Sequence, residues 1–235
     1  MVEKSITVIL SYYNQPKSTL IRHIDYWKKF EEKNRFTFFI IDDASKHPAH
    51  ELLKDIEHDD LDLHLYQVNQ DLYCNIAGVR NLGAKECKTP YMVILDMDTV
   101  INNTMSLQLL ELSQKNSNNK FAFKFNRHVP ENTSHKKHNQ PHPAICLIRK
   151  EDYWDIGGCE EDLVGHYGQT DPIFWYRARG VVDVYICKNI NLLYFPDAEA
   201  DINRDTTVNT KLFESKKVTK DWSKDFIRFN WKKVI

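Results

Sequence analysis

The first hundred residues alternate strand and helix signals without a break, and that order leaves few folds open. Ser5-Ile-Thr-Val-Ile-Leu10 is β-branched and strand-like, and the turn from Ser11 to Pro16 places a proline where a helix starts. That helix carries Leu20, Ile24, Trp27 and Phe30 on one side. A second strand is expected over 35–41 and a polar helix over about 48–57. Leu61, Leu63 and Leu65, alternating with Asp62, His64 and Tyr66, predict a third strand. Residues 75–87 read as a helix that Thr89-Pro90 breaks, and Met92 to Leu95 is an apolar run suited to a buried strand. The β-α-β-α-β-α-β order argues for an α/β fold: a mostly parallel sheet with helices on both faces.

The second half is less regular. A helix over about 104–115 leads to a short strand over 121–125 and then to a polar loop over 126–143 holding His128, His135, His138 and His142. The histidine spacing matches no compact ligand pattern, and Lys136-Lys137 would repel a cation, so the segment reads as a mobile loop over a site rather than a metal centre. A strand over 144–148, a short helix over 151–154, a helix over 171–179 and a strand pair at 181–186 and 190–195 follow. In the basic, aromatic tail, Val218, Trp222, Phe226 and Phe229 fall at helical spacing. They predict an amphipathic C-terminal helix packed on the domain, with weak membrane-surface contact as the other reading.

At 235 residues the chain suits one domain over 1–235, with internal divisions near residues 100 and 200 and an extension over 201–235. A net charge of −1 gives no field that would attract nucleic acid. Five scattered cysteines without a C-x-x-C suit reduced thiols and a cytoplasmic setting, and no apolar run is long enough to span a membrane.

The chemistry-bearing residues stand at the ends of predicted elements. Ligands of open α/β sheets bind beyond the carboxyl ends of the strands. There Asp42-Asp43 follows the second strand, and Asp96 and Asp98 follow the central one. The last pair admits two readings: a cap for the helix near Thr104, or a grip on a divalent cation and a nucleotide diphosphate. Arg80 is a candidate phosphate ligand or a solvated helix charge. Asp171 is a helix N-terminal carboxylate or a general base for a hydroxyl proton, and His166 a candidate for the acceptor side.

Taken in order, these pieces resemble the inverting, GT-A-fold glycosyltransferases of family 2. Ile9-Leu-Ser-Tyr-Tyr-Asn14 resembles the family's first-strand motif, Asp42-Asp43-Ala-Ser45 its DDxS turn and Gly78-Val-Arg80-Asn81-Leu-Gly83 its xARNxG helix. Asp96-Met-Asp98 resembles the DxD, and Ile156-Gly-Gly158 with Gly168-Gln-Thr-Asp171 the iGG…GxED segment. The resemblance implies that Ser11, Tyr13 and Asp43 hold the nucleoside, with Arg80 near the nucleotide-sugar. Asp96 would face the ribose or metal shell, Asp98 would bind Mn²⁺ or Mg²⁺, and Asp171 would act as base. It implies a UDP-sugar donor and a glycan or other hydroxyl acceptor. Thr99 and Thr170 depart from acidic residues common in the family, and Asp197, Asp201, Arg204 and Asp205 resemble a segment that closes on nucleotide in some relatives. A sugar nucleotidyltransferase is disfavoured because no glycine precedes Gly78 to form a phosphate loop. A non-catalytic nucleotide-sugar or glycan-binding module on the same fold is the remaining alternative.

Overall fold

The structure, a computed structural model, describes residues 3–116, 119–198 and 202–235. Strands β1 (Ile6–Tyr12), β2 (Phe36–Asp42), β3 (Leu63–Val68) and β4 (Tyr91–Asp96) pair in parallel in the order β3-β2-β1-β4. Helices α1 (Lys17–Lys28), α2 (Ala49–Leu52) and α3 (Ile76–Glu86) are the crossovers. Because side chains alternate across a strand, each central strand feeds two cores. Val8, Leu10, Phe38 and Ile40 pack with Leu20, Ile24 and Trp27 of α1. Ile9, Phe39 and Ile41 point the other way and pack with Ala77, Val79 and Leu82 of α3.

Glycine in mid-helix is explained by that second layer. A Cβ on Gly83 would lie 2.4 Å from Cγ2 of Ile9, so α3 rests on β1 through a bare backbone. Gly83→Ala is therefore expected to destabilise the protein by about 1–3 kcal/mol despite alanine's better helix propensity. Urea unfolding with an unchanged or raised midpoint would refute that contact.

The remaining strands extend this sheet on both sides. They are β5 (Thr99–Val100), β6 (Phe121–His128), β7 (Pro141–Arg149), β8 (Asp183–Tyr194) and β9 (Trp231–Lys233), in the overall order β5-β8-β6-β7-β4-β1-β2-β3-β9. β7 runs antiparallel to β4, β6 antiparallel to β7, and β8 parallel to β6. The parallel expectation thus describes the first half of the chain, and the second half adds mixed pairing. Helices α4 (Asn103–Lys115), α5 (Lys150–Ile156), α6 (Thr170–Ala178) and α7 (Thr207–Thr219) complete the layers.

Three expectations are corrected. The strand pair at 181–186 and 190–195 is one strand, β8. Its partner on β6 jumps from Cys187 to Asn191 between Phe125 and Asn126, so Lys188 to Ile190 form a bulge rather than a hairpin turn. The helix over 48–57 is only α2, a single turn. The tail helix lies earlier than its aromatic spacing suggests. α7 ends at Lys220, which adopts φ 58°, and Val218 is 83% exposed. Trp222, Phe226 and Phe229 belong to irregular chain and pack singly: Trp222 beside Tyr176, Phe226 edge-on to Trp154, and Phe229 over Gly78. Their apolar surface is used on the domain. No described helix is long and apolar enough to cross a membrane.

Candidate active site

The carboxyl ends of β1, β2 and β4 form one rim of a cavity of about 370 Å³. Strand register sets the rim: Ser11 lies opposite Asp96 on β4, and Tyr12 opposite Asp42 on β2. The other wall comes from α3, β7 and the loop into α6. All eight residues singled out in the sequence (Ser11, Tyr13, Asp43, Arg80, Asp96, Asp98, His166 and Asp171) line this one cavity.

The adjacent carboxylates at the end of β2 divide the work. Asp42 is fully buried and structural, its oxygens accepting from the amides of Ser45 and Ala49 at 2.9 and 2.7 Å. Asp43 faces the cavity. Its Oδ2 accepts from the Asn75 amide at 3.1 Å, whereas Oδ1 is buried without a hydrogen-bond partner among the described residues. Ser11 Oγ is likewise buried and unpartnered. Buried polar atoms are rarely left unmatched, so both invite a ligand's polar edge. Tyr13 donates its hydroxyl to Asp71 Oδ2 at 3.1 Å. Burial first, and then Asp71, push its pKa up to about 12.

Burial also pushes the Asp43 carboxyl up from 3.8 to about 7; hydrogen bonds from Asn75 oppose the rise, and Asp71 and Asp42 add to it. In the unfolded chain this group ionises at its ordinary value. Stability from the neutral, buried carboxyl is therefore present below about pH 3.8 and is lost as pH rises through 7. Asp43→Asn should raise the stability of the nucleotide-free protein at pH 8, by at most about 4 kcal/mol, and leave it nearly unchanged at pH 4. Chemical denaturation at the two pH values tests this; an equal gain at both would contradict it.

Arg80 ties two carboxylates together. It is 4% exposed, and its guanidinium donates to Asp96 Oδ1 at 2.9 Å and to Asp171 Oδ1 at 2.7 Å. Burial works against its charge, yet Asp96 and Asp171 outweigh that, and its pKa is raised. The solvated-charge reading of Arg80 is thereby excluded. Asp171 sits in the first turn of α6, and among the described residues only its Oδ1 is engaged. Its second oxygen remains to accept a proton.

The neighbouring Asn81 is spent on architecture. Its amide donates to Cys159 O and Glu161 Oε1, and its Oδ1 accepts from the Tyr153 hydroxyl and the Cys159 amide. A Cβ on Gly158 would come within 2.7 Å of that Oδ1. The Asn and the Gly-Gly pair thus explain each other.

Asp96, Asp98 and His142 place one ligand atom each within 4.8 Å of one another, a set that suits a divalent cation. The helix-cap reading of the aspartates fails, because α4 is capped by Asn102, whose side chain accepts from the Met105 amide. Asp98 Oδ1 is buried and has no hydrogen-bond partner among the described residues, which suits a cation ligand. In the sequence His142 is hidden among the four histidines of one polar segment. The structure puts it on β7, with Nε2 3.4 Å from Asp98 Oδ1. Its Nδ1 accepts from the amides of Ala144 and Ile145, so in the neutral ring the proton sits on Nε2. In this state His142 lies beside Asp98 without a hydrogen bond to it, and the two carboxylates are the fitting ligands.

Asn209 on α7 was also missed. It is buried, and its Nδ2 reaches the carbonyls of Leu163, His166 and Gly168 at 3.1, 2.8 and 3.0 Å, pinning the loop that carries His166 toward Asp171. In the polar segment beyond Phe195, Asp197 pairs with Arg22 and Asp205 accepts from Thr207, while Arg204 lines the cavity. Asp201 lies outside the described residues.

A family model described as "Glycosyl transferase family 2" matches residues 7–177. No curated protein matches the chain by sequence. Among solved structures, S. aureus TarS 1-349 is similar at a TM-score of 0.66 and 14% identity, over 81% of this chain and 60% of that one. The mannosyltransferase PcManGT from Pyrobaculum calidifontis, in complex with GDP-Man and Mn²⁺, is similar at 0.68 and 13%, over 95% and 66%. TarS 1-349 in complex with UDP-GlcNAc is similar at 0.65 and 12%, over 85% and 60%. The chain therefore spans 60% to 66% of those chains, and at such identities the likeness speaks for the GT-A fold alone.

Proposed function

The chain belongs to glycosyl transferase family 2, and on that premise we propose that it moves a sugar from a nucleoside-diphosphate donor, UDP-linked, to a hydroxyl of a glycan or other acceptor with inversion. The observation that carries the proposal is the convergence of Asp43, Asp96, Asp98 and Asp171 on one cavity, with Arg80 bridging two of them. Asp43 Oδ1 and Ser11 Oγ receive or supply the polar contacts of the nucleoside, beside Tyr13. Asp98 and Asp96 would hold Mn²⁺ or Mg²⁺, which when bound would supply positive charge to offset the diphosphate. That solved relatives of the same fold carry GDP-Man with Mn²⁺ and UDP-GlcNAc supports a nucleotide-sugar in this cavity.

In the transfer, the acceptor oxygen forms a bond to the anomeric carbon as the bond to the diphosphate oxygen breaks. The free oxygen of Asp171 takes the hydroxyl proton. Arg80 fixes the carboxylate's position and keeps it from rotating away, while Asp96 shares the same guanidinium and so holds the donor side in register with the base. His166 stands at the acceptor side. We take residues 1–235 to work as one unit, and five free thiols suit a reducing, cytoplasmic compartment.

The test is thermal stabilisation by UDP, GDP and their sugars, with Mn²⁺, with Mg²⁺ and with chelator. Ligand at 100 times its Kd adds about 2.7 kcal/mol to native stability. A metal-dependent rise with a UDP-sugar, followed by UDP release on adding an acceptor, supports the proposal. No rise with any nucleotide would overturn it.

A further inference from the structure

A second cleft, of about 780 Å³, opens beside the first and shares Asp171 and Pro143 with it. Its floor is aromatic. Trp175 is anchored there by an indole N–H donating to Pro143 O at 2.6 Å. Exposed Tyr176 meets Phe213 edge-on with ring centroids 5.9 Å apart.

Two cations line this cleft, one of them over the floor. Lys124, half-buried on β6, places Nζ 4.4 Å from the centroid of the Trp175 ring, and Arg179 extends from the end of α6. Neither forms an ion pair with a carboxylate among the described residues. Burial is the main cause of a lowered Lys124 pKa; Cys146 and Asp171 oppose it, and Arg179 adds to it. Of the cleft's other charges, Lys217 is paired with Glu214 at 2.6 Å, Asp171 is held by Arg80 and offsets the Lys124 charge only in part, and Asp183 forms no ion pair with either cation among the described residues. Unpaired cations in a cleft with an apolar, aromatic floor are what a ligand with a sugar ring and an anionic substituent complements.

Resting on the transferase reading above, we infer that this cleft seats the acceptor, and that the acceptor carries an anionic group, carboxylate or phosphate, held between Lys124 and Arg179. The shared wall then brings an acceptor hydroxyl to the oxygen of Asp171 that Arg80 leaves free. The nucleotide diphosphate stays in the first cavity, where the acidic cluster and its cation belong. The two negative groups of donor and acceptor are thereby kept in separate clefts, each with its own counter-charge.

Ligand-observed NMR titration of the full chain with methyl glucuronide, methyl glucoside 6-phosphate and neutral methyl glucoside tests this. At least one anionic probe is expected to bind about tenfold tighter than the neutral one, with the advantage shrinking as salt is raised. Which anionic probe binds tighter distinguishes a uronate from a phosphate. Lys124→Met with Arg179→Gln should bring the anionic advantage below about twofold at an unchanged melting temperature. Absence of an anionic advantage in the parent protein, or its survival in the double variant, overturns the assignment. Stabilisation by UDP and Mn²⁺, measured on the same samples, separates that failure from failure of the transferase reading.

Discussion

Replacing Asp171 with asparagine is expected to lower transfer by about 10²–10⁴-fold while nucleotide binding persists. The amide preserves the shape of the carboxylate, and its oxygen can still accept from Arg80, as Asp171 Oδ1 does at 2.7 Å. What it loses is the ability to take a proton from an acceptor hydroxyl. The substitution also weakens one charge-assisted hydrogen bond to a buried guanidinium, worth about 1.5–3 kcal/mol. The fold survives because Arg80 keeps its second carboxylate, Asp96, at 2.9 Å. Nucleoside-diphosphate release under saturating donor measures the first effect, and nucleotide-induced stabilisation measures the second. Full turnover in Asp171→Asn would remove the residue from the role of base.

Asp98→Asn should abolish the metal-dependent part of nucleotide binding and drop the affinity to the level seen with chelator. An amide oxygen is a far weaker partner for a hard dication than a carboxylate, and the site has only two well-placed carboxylates to lose from. The ligand-free melting temperature should not fall. Among the described residues Asp98 Oδ1 has no hydrogen-bond partner to lose, and its carboxylate lies close to that of Asp96. Calorimetric titration of UDP with and without Mn²⁺ gives the answer. An unchanged Mn²⁺ dependence would remove Asp98 from the metal site.

The parts of the site that were legible in the sequence are those fixed by strand ends. Apolar runs that stop at Asp42-Asp43 and at Asp96 place these residues at one edge of a parallel sheet, whatever else the chain does. Arg80 and Asp171 were legible as candidates, but their meeting was not, because 91 positions separate them and only the packing of α3 against the loop before α6 brings them together. His142 was obscured by its neighbours: three more histidines and two lysines in one polar segment conceal that Pro141 already begins a strand. Asn209 carried no signal, since an amide that pins three carbonyls of a distant loop resembles any surface asparagine until the fold is known. The tail misled for a related reason. Trp222, Phe226 and Phe229 mimic a helical stripe, yet each packs at a separate place along an irregular path.

The end of that path has a consequence for how the molecule is completed. β9 adds to β3 in antiparallel fashion, with the Val234 amide donating to Leu65 O at 2.7 Å and the Leu65 amide to Ile235 O at 3.1 Å. Until residues 231–235 are in place, β3 offers an open line of amides and carbonyls to any passing strand. This pairing joins positions more than 160 residues apart along the chain, so closing the edge is among the slower, long-range steps of folding. Once it is closed, the new edge displays Lys232 and Lys233, whose like charges discourage pairing with another copy.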